Sequence, residues 1–167
     1  MLNIIKEPNP LLHKRAKEVS VKEINDELRS YLDKMIVTMR SSNGVGLASP
    51  QVGDLRRMLV AEIDFSGHAK RAIKMINPEI IEFSGKRKSC EGCLSIPGLE
   101  QKVDRKTSIQ VKYLDEYGTE VIKNFEGFSA VIIQHEIDHL DGITLLDHSS
   151  RVKKSKYLKK IKNKLLN

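Results

Sequence analysis

Residues 129–140 have the sequence SAVIIQHEIDHL, which joins an apolar run to two histidines four positions apart. The apolar run at residues 130–133 and the mixed positions after it predict a mostly buried helix. Residues four apart lie on one face of a helix, so His135 and His139 can reach the same metal ion. Glu136 is turned by about 100° from His135 and can accept a proton from water without binding the metal. This segment therefore predicts a metal site on a helix.

Two histidines leave a catalytic metal one protein ligand short. A third histidine at the spacing of one class of zinc endopeptidase would fall on Leu145, and Asp147 is the last acidic residue of the chain. Cys90 and Cys93 lie upstream, outside the spacing of a zinc finger. One thiolate with two imidazoles would keep a position open for water, whereas both thiolates would close a structural Cys2His2 site. The residues alone leave these alternatives open.

A second segment, GVGLASPQ at residues 44–51, has the composition of a ligand-binding loop. Its two glycines and its proline predict an irregular backbone that can approach a ligand closely. Gln51 adds a side-chain amide donor. An ordinary connection between a helix and a strand explains the same residues equally well, so this segment alone does not establish a site.

The remaining periodicity predicts an α+β fold. A capping box at residues 20–23 and apolar positions at helical spacing predict a first helix over residues 24–39, ended by the polar residues 41–44. Short apolar or alternating runs predict strands over residues 58–63, 72–76, 80–83, 108–114 and 119–125, the last two as a hairpin. A last helix is predicted over residues 150–166, with an apolar stripe of Tyr157, Leu158, Ile161 and Leu165. We therefore expect antiparallel or mixed strands packed around the central helix, with one helix before and one after them.

Composition limits the class of protein. The 167 residues are 40% hydrophobic and 31% charged, which is typical of a globular chain and excludes a disordered, fibrous or membrane-spanning one. The N-terminus resembles neither a secretory signal nor a transit peptide, so we expect a cytoplasmic protein. Residues 151–167 carry eight Lys or Arg and no acidic residue, and since the whole chain has a net charge of +7, the other 150 residues sum to −1. Any anionic partner is therefore expected at this basic segment. The alternative is that the segment is only a solvated helix packed on the other 150 residues.

Three segments in order resemble the peptide deformylase family: GVGLASPQ at 44–51, EGCLS at 91–95 and HEIDH at 135–139. Residues 5–10 and Arg105 are also similar to what the family shows, and Ser49 departs from it, since Ala is usual there. The resemblance covers residues 1–148, which it implies are the catalytic domain, with 149–167 as a basic helical extension.

The resemblance implies a metal-dependent hydrolase that removes the formyl group from the N-terminal formylmethionine of nascent polypeptides. The implied metal ligands are Cys93, His135 and His139, with Glu136 as general base and acid. The oxyanion would be bound by Gln51 and by the backbone N–H of Leu94, and Gly46 would pair by its backbone with the substrate peptide. We also expect Val45, Phe128, Val131 and Ile132 to line a pocket for the methionine side chain, although core packing explains Val131 and Ile132 equally well.

The resemblance further implies Fe(II) as the working ion, with Zn, Ni or Co able to occupy the same ligands. Its implied partners are N-formylmethionyl peptides and, through the basic helix, ribosomal RNA, with neither membrane nor DNA among them. Cys90 has no role in the family pattern and is interpreted as a thiol without a function at the site. Three other residues are interpreted as surface or capping histidines: His13, His68 and His148. Two alternatives are an ordinary zinc endopeptidase and a structural metal protein that binds RNA and closes a Cys2His2 site.

Overall fold

The computed structural model describes residues 1–65 and 71–165. Its α-helices in this part of the chain are α1 (Asp26–Ser41), α2 (Gly127–Leu140) and α3 (Arg151–Leu165). Its strands are β1 (Gly46–Ala48), β2 (Met58–Glu62), β3 (Ala72–Ser84), β4 (Arg87–Glu91), β5 (Gln101–Arg105), β6 (Ser108–Leu114) and β7 (Glu120–Glu126). Short 3-10 turns lie at Pro10–His13, Val21–Glu23 and Ser49–Val52. His68 lies outside the described residues.

All strand pairs within the sheets are antiparallel. Five strands form one sheet in the order β1-β2-β3-β6-β7, and β4 and β5 form a separate two-stranded ribbon. Alternate residues of β2 enter two different apolar layers: Leu59 and Ala61 pack in the cluster of α2, whereas Met58 and Val60 pack in the cluster of α1. The sheet therefore lies between α1 and α2, and the α+β prediction is confirmed.

The metal-motif helix α2 follows β7 without an intervening loop. Gly127 makes the sharp change of direction with φ of 59°, a conformation that favours glycine, and its N–H donates to the Thr107 carbonyl at 3.0 Å. The predicted helix is confirmed, but it begins at Gly127 rather than at Ser129. Its apolar residues pack on the sheet, and Ala130, Ile133 and Leu140 are completely buried.

The start of the first helix differs from the prediction. Ser20 and Glu23 do form a capping box, but they cap the 3-10 turn Val21–Glu23. The helix α1 begins at Asp26, because Asn25 is its N-cap and its side chain accepts from the Leu28 N–H at 2.9 Å. Ser20 and Asn25 are five positions apart and each caps its own element, and only Asn25 starts the helix.

The strands predicted at 72–76 and 80–83 form a single strand, β3. Pro78 has no backbone N–H to donate, and the pairing of β3 with β6 shifts register between Ile76 and Glu79 instead of ending. Asn77 adopts φ of 53° at this bulge, and its side chain bonds both the N–H and the carbonyl of Val19 at 2.8 Å. A proline that suggested two strands therefore marks a bulge in one.

The last helix, α3, runs from Arg151 to Leu165, and Leu166 of the predicted range lies outside the described residues. Tyr157, Leu158 and Ile161 of its apolar stripe pack on a cluster formed by Ile96, Leu99, Val103, Leu145 and Leu146, as predicted. The Tyr157 hydroxyl donates to the Pro97 carbonyl at 3.0 Å. Across residues 1–65 and 71–165, every helix is too short or too polar to cross a bilayer.

Candidate metal centre

Two turns of α2 and the loop after β4 bring three metal-binding side chains together. Cys93, His135 and His139 each offer one ligand atom, and these three atoms lie within 4.8 Å of one another. The Sγ of Cys93 is 3.2 Å from Nε2 of His139. Both histidines are buried, and burial holds the pKa of His139 well below its usual range, which favours the neutral form that binds metals. A thiol and two imidazoles in this arrangement fit one first-row metal ion.

Cys90 is not part of this cluster in the described chain. Its side chain is exposed, whereas Cys93 is partly buried beside the two histidines. The closed Cys2His2 site is therefore not favoured, and Cys93, His135 and His139 are the three residues that would hold a metal ion.

A buried carboxylate holds His135 in place. Oε2 of Glu91 is 2.9 Å from Nδ1 of His135, which leaves Nε2 of that ring for a metal. Arg105 donates to both carboxylate oxygens of Glu91 at 2.8 and 2.9 Å, and to Asp138 at 2.6 Å. Although burial alone would raise it, the hydrogen bonds from Arg105 and His135 lower the pKa of Glu91 to about 2. The ring is thus oriented by a carboxylate that stays ionised.

No role was predicted for Glu91, Arg105 or Asp138. The resemblance included Glu91 and Asp138 in its motifs and named Arg105, but the order of residues gives no sign that the three side chains meet. His148 extends this network, because its Nε2 lies 2.9 Å from Asp138. His148 is exposed, as predicted, and so is His13, whose Nε2 lies 3.0 Å from a carboxylate oxygen of Glu7.

The carboxyl group of Glu136 is buried beside the cluster, and its Oε2 has no hydrogen-bond partner in the described chain. Burial raises the pKa of Glu136 to about 7, despite the nearby charge of His135. Gly46 makes room for this group, because a Cβ at position 46 would lie 2.8 Å from both Cδ and Cγ of Glu136. A carboxyl group with such a pKa can take up and return a proton near neutrality.

The amide of Gln51 is fixed with its donor end toward the cluster. Its Oε1 accepts from the Ala48 N–H at 2.8 Å, while its Nε2 lies 3.2 Å from Oγ of Ser95 and 3.6 Å from Sγ of Cys93. Leu94 directly follows Cys93, so its backbone N–H belongs to the same loop. Ser95 is completely buried and was not singled out from the sequence.

The departure at Ser49 is accommodated without an unpaired polar group. The side chain is completely buried, and its hydroxyl donates to the Arg56 carbonyl. Ser49 begins the 3-10 turn Ser49–Val52, and the loop predicted at residues 44–51 therefore consists of the strand β1 followed by this turn. The added hydroxyl is used inside the protein rather than at the site.

A cavity of about 360 Å³ opens the site to solvent. Its walls include ten residues predicted from the sequence: Val45, Gly46, Gln51, Cys93, Leu94, Phe128, Val131, Ile132, His135 and Glu136. Val131 and Ile132 are almost fully buried, and Ile132 also belongs to the core of α2. Phe128 and Val45 are 52% and 38% exposed and lie at the mouth. The cavity thus combines polar groups of the cluster with both buried and exposed apolar side chains.

Known proteins are similar to this chain in sequence and architecture. A family model described as "Polypeptide deformylase" matches residues 1–155. The peptide deformylase of Thermodesulfovibrio yellowstonii is 44% identical over 164 residues, which are 98% of this chain and 98% of that protein. The crystal structure of peptide deformylase from Ehrlichia chaffeensis in complex with actinonin has a TM-score of 0.90 at 36% identity and covers 98% of this chain and 96% of its own. The Met-Ala-Ser bound class I type b peptide deformylase from Acinetobacter baumannii has a TM-score of 0.81 at 37% identity, covering 89% and 98% respectively.

Proposed function

The chain belongs to the polypeptide deformylase family and is a hydrolase of that kind, and we propose that it removes the formyl group from the N-terminal formylmethionine of nascent polypeptides. One observation carries the proposal: Oε2 of the buried Glu136 carboxyl group has no hydrogen-bond partner in the described chain and lies beside a cluster of metal-binding side chains. Such a group has no structural purpose that offsets its burial, whereas it suits proton transfer in an amide hydrolase.

We propose that Cys93, His135 and His139 hold one divalent metal ion, which is Fe(II) in the working enzyme. The ligand types accept several first-row metals, so Zn, Ni or Co can occupy the same place. When bound, the ion supplies a Lewis acid and lowers the pKa of water. The choice of iron follows from the family resemblance of the three motifs, and the oxidation-prone Cys93 thiolate makes anaerobic handling necessary.

The reaction needs a proton to move twice, and Glu136 is placed to move it. Its carboxylate takes the proton from water as the water attacks the formyl carbon, and it then delivers that proton to the leaving amine. Burial, which raises the pKa of Glu136, favours the protonated form that returns the proton to the amine. Gln51 Nε2 and the Leu94 N–H donate to the developing oxyanion, and one such donor is typically worth about 3 to 4 kcal/mol.

The substrate peptide is proposed to lie along β1, which is an edge strand of the five-stranded sheet. On its outer side no other described strand pairs with it, so the backbone of Gly46 is available for a substrate strand. Val45, Phe128, Val131 and Ile132 then form the pocket for the methionine side chain. The Met-Ala-Ser complex of the Acinetobacter baumannii relative supports a peptide with an N-terminal methionine.

We propose that α3 binds ribosomal RNA, which would keep the enzyme in the cytoplasm where formylated chains are made. The helix carries eight Lys or Arg and no acidic residue. Tyr157, Leu158 and Ile161 face the rest of the protein, which leaves exposed cations such as Lys159 and Lys160 for phosphate groups.

Hydrolysis of formyl-Met-Ala-Ser by the anaerobically metal-loaded protein tests the proposed activity. Glu136→Gln should retain the metal while kcat falls by about 10²- to 10⁴-fold, because it removes the proton acceptor only. Cys90→Ser is the matched control at the exposed thiol and should retain both metal and activity. Full activity in the metal-loaded Glu136→Gln variant would contradict the role of this residue. Loss of the metal from Cys90→Ser would instead support the alternative in which both cysteines bind the metal in a closed Cys2His2 site.

A further inference from the structure

A short piece of backbone near the N-terminus, the bridging segment (residues 5–7), bonds two different loops of the site. The Ile5 N–H donates to the Gln51 carbonyl at 2.9 Å. The Glu7 N–H donates to the Ser95 carbonyl at 3.0 Å. Alternate residues make these two bonds, as along one edge of a β-strand. The bridging segment therefore connects the turn that carries Gln51 with the loop that follows β4.

The two connected loops belong to different sheets. The turn Ser49–Val52 directly follows β1 of the five-stranded sheet, whereas Cys93 and Leu94 lie between the two strands of the separate ribbon. In the described chain no backbone hydrogen bond joins the turn to this loop directly, although Nε2 of Gln51 lies 3.2 Å from Oγ of Ser95. The bridging segment therefore supplies the backbone connection between them.

Contacts on both sides hold the bridging segment in place. Before it, the Leu2 N–H donates to Oγ1 of Thr38 on α1 at 2.9 Å, and the Leu2 side chain packs against the apolar cluster of α1. Within it, the side chain of Glu7 is buried. After it, the Ala16 N–H donates to the Leu140 carbonyl at the end of α2 at 2.8 Å. A segment held by two helices in this way can fix the position of the carbonyl groups that it bonds.

We propose that Ile5 and Glu7 are positioning residues for the oxyanion, because their backbone N–H groups set the distance between the Gln51 amide and the Leu94 N–H. Neither Ile5 nor Glu7 lines the cavity, so they act through the loops that they bond and not on the substrate. A displacement of about 1 Å at such a group costs on the order of 10²-fold in rate. This inference rests on the proposed deformylase function, in which Gln51 and Leu94 donate to the oxyanion.

The test removes one backbone donor, because Ile5→Pro has no N–H to offer the Gln51 carbonyl. In the metal-loaded enzyme, kcat for formyl-Met-Ala-Ser should fall by about 10- to 100-fold, which does not exceed the loss expected when an oxyanion donor is removed outright. KM and metal content should stay close to those of the wild-type protein. Lys6→Pro is the matched control, because Lys6 is exposed and its N–H makes no hydrogen bond within the described chain. It should keep the wild-type kcat.

A second background separates positioning of Gln51 from a general disturbance of the fold. In Gln51→Ala the amide is absent, so Ile5→Pro should cause little further loss of kcat there. An ester bond in place of the peptide bond at position 5, introduced with an α-hydroxy acid, removes the same N–H without the proline ring. It should reproduce the loss, and it replaces Ile5→Pro if that variant does not fold.

A wild-type kcat in the folded Ile5→Pro variant or in the ester would overturn the inference, and so would an equal loss in Lys6→Pro. The same loss with and without Gln51 would overturn it as well, because the bridging segment would then not act through that amide. Loss of the metal from Ile5→Pro would assign the segment to the support of Cys93 and also overturn it. If the wild-type enzyme hydrolysed no formyl peptide, the proposed function itself would fail, which is a distinct result.

Discussion

Replacing Gly46 by alanine should disable the enzyme without removing its metal. The new Cβ would lie 2.8 Å from Cδ and Cγ of Glu136 and closer still to its Oε1. Carbon atoms in contact are separated by about 3.5 to 4.0 Å, so the carboxyl group must move by about 1 Å. The three atoms nearest to this Cβ all belong to Glu136, and none belongs to a proposed ligand.

A displacement of about 1 Å at a reacting group costs on the order of 10²-fold in rate, and we expect a loss of that size in kcat. Formyl-Met-Ala-Ser hydrolysis and metal content are measured on the same anaerobic sample. Gly92→Ala is the steric control, because its added Cβ would have its nearest neighbour, the Leu99 carbonyl oxygen, at 3.9 Å. A much smaller loss is expected there.

A double variant separates a clash with Glu136 from other effects of the methyl group. In a Glu136→Ala background the carboxyl group is absent, so Gly46→Ala should cause little further loss of activity. The reasoning is refuted if Gly46→Ala keeps wild-type activity, or if it causes the same loss with and without Glu136.

Other expected outcomes concern the surroundings of the site. Glu91→Gln should weaken metal affinity by about 10- to 100-fold in a chelator competition, because it removes the partner that orients the ligand His135. Since the pKa of Glu91 is lowered to about 2 in the folded protein, its contribution is complete above pH 4.5 and is lost as the pH falls toward 2. Between pH 4.5 and pH 2, the free energy of unfolding should therefore fall further in the wild-type protein than in Glu91→Gln. The difference should be at most about 3 kcal/mol, as measured by urea denaturation. Replacing Lys159 and Lys160 together by Gln should leave peptide hydrolysis unchanged. It should reduce the slope of the logarithm of ribosome affinity against the logarithm of salt concentration by up to about two. Equal slopes in the wild-type protein and the variant would argue against α3 as the RNA contact. Asn77→Ala should lower the free energy of unfolding by about 2 to 4 kcal/mol, because two hydrogen bonds to Val19 are lost at a position with positive φ.

The helix α2 could be predicted from sequence because its information is local. A run of apolar residues and two histidines at helical spacing specify both the element and the face that carries the ligands. The hairpin of β6 and β7 was predictable for the same reason, since Ile109, Val111 and Tyr113 alternate and are buried. Local periodicity sufficed wherever an element buries one regular face.

The ribbon of β4 and β5 shows where that reasoning stops. Its β4 strand, RKSCE, is mostly exposed and has no apolar alternation, so nothing in the sequence marked it as a strand. Its importance comes from side-chain contacts: Glu91 ends β4 opposite Gln101, and Arg105, which ends β5 opposite Arg87, bonds both Glu91 and Asp138. Charges that meet only in the folded protein carry no signal in the order of residues.

The apolar layer under α3 joins the last helix to the loop that supplies the sulfur ligand. Cys93 packs against the same cluster as Leu158 and Ile161, and Tyr157 bonds the carbonyl of Pro97 in that loop. During translation the loop emerges long before the helix that covers it. A newly made copy of this enzyme therefore has this apolar layer complete only after α3 has been synthesised.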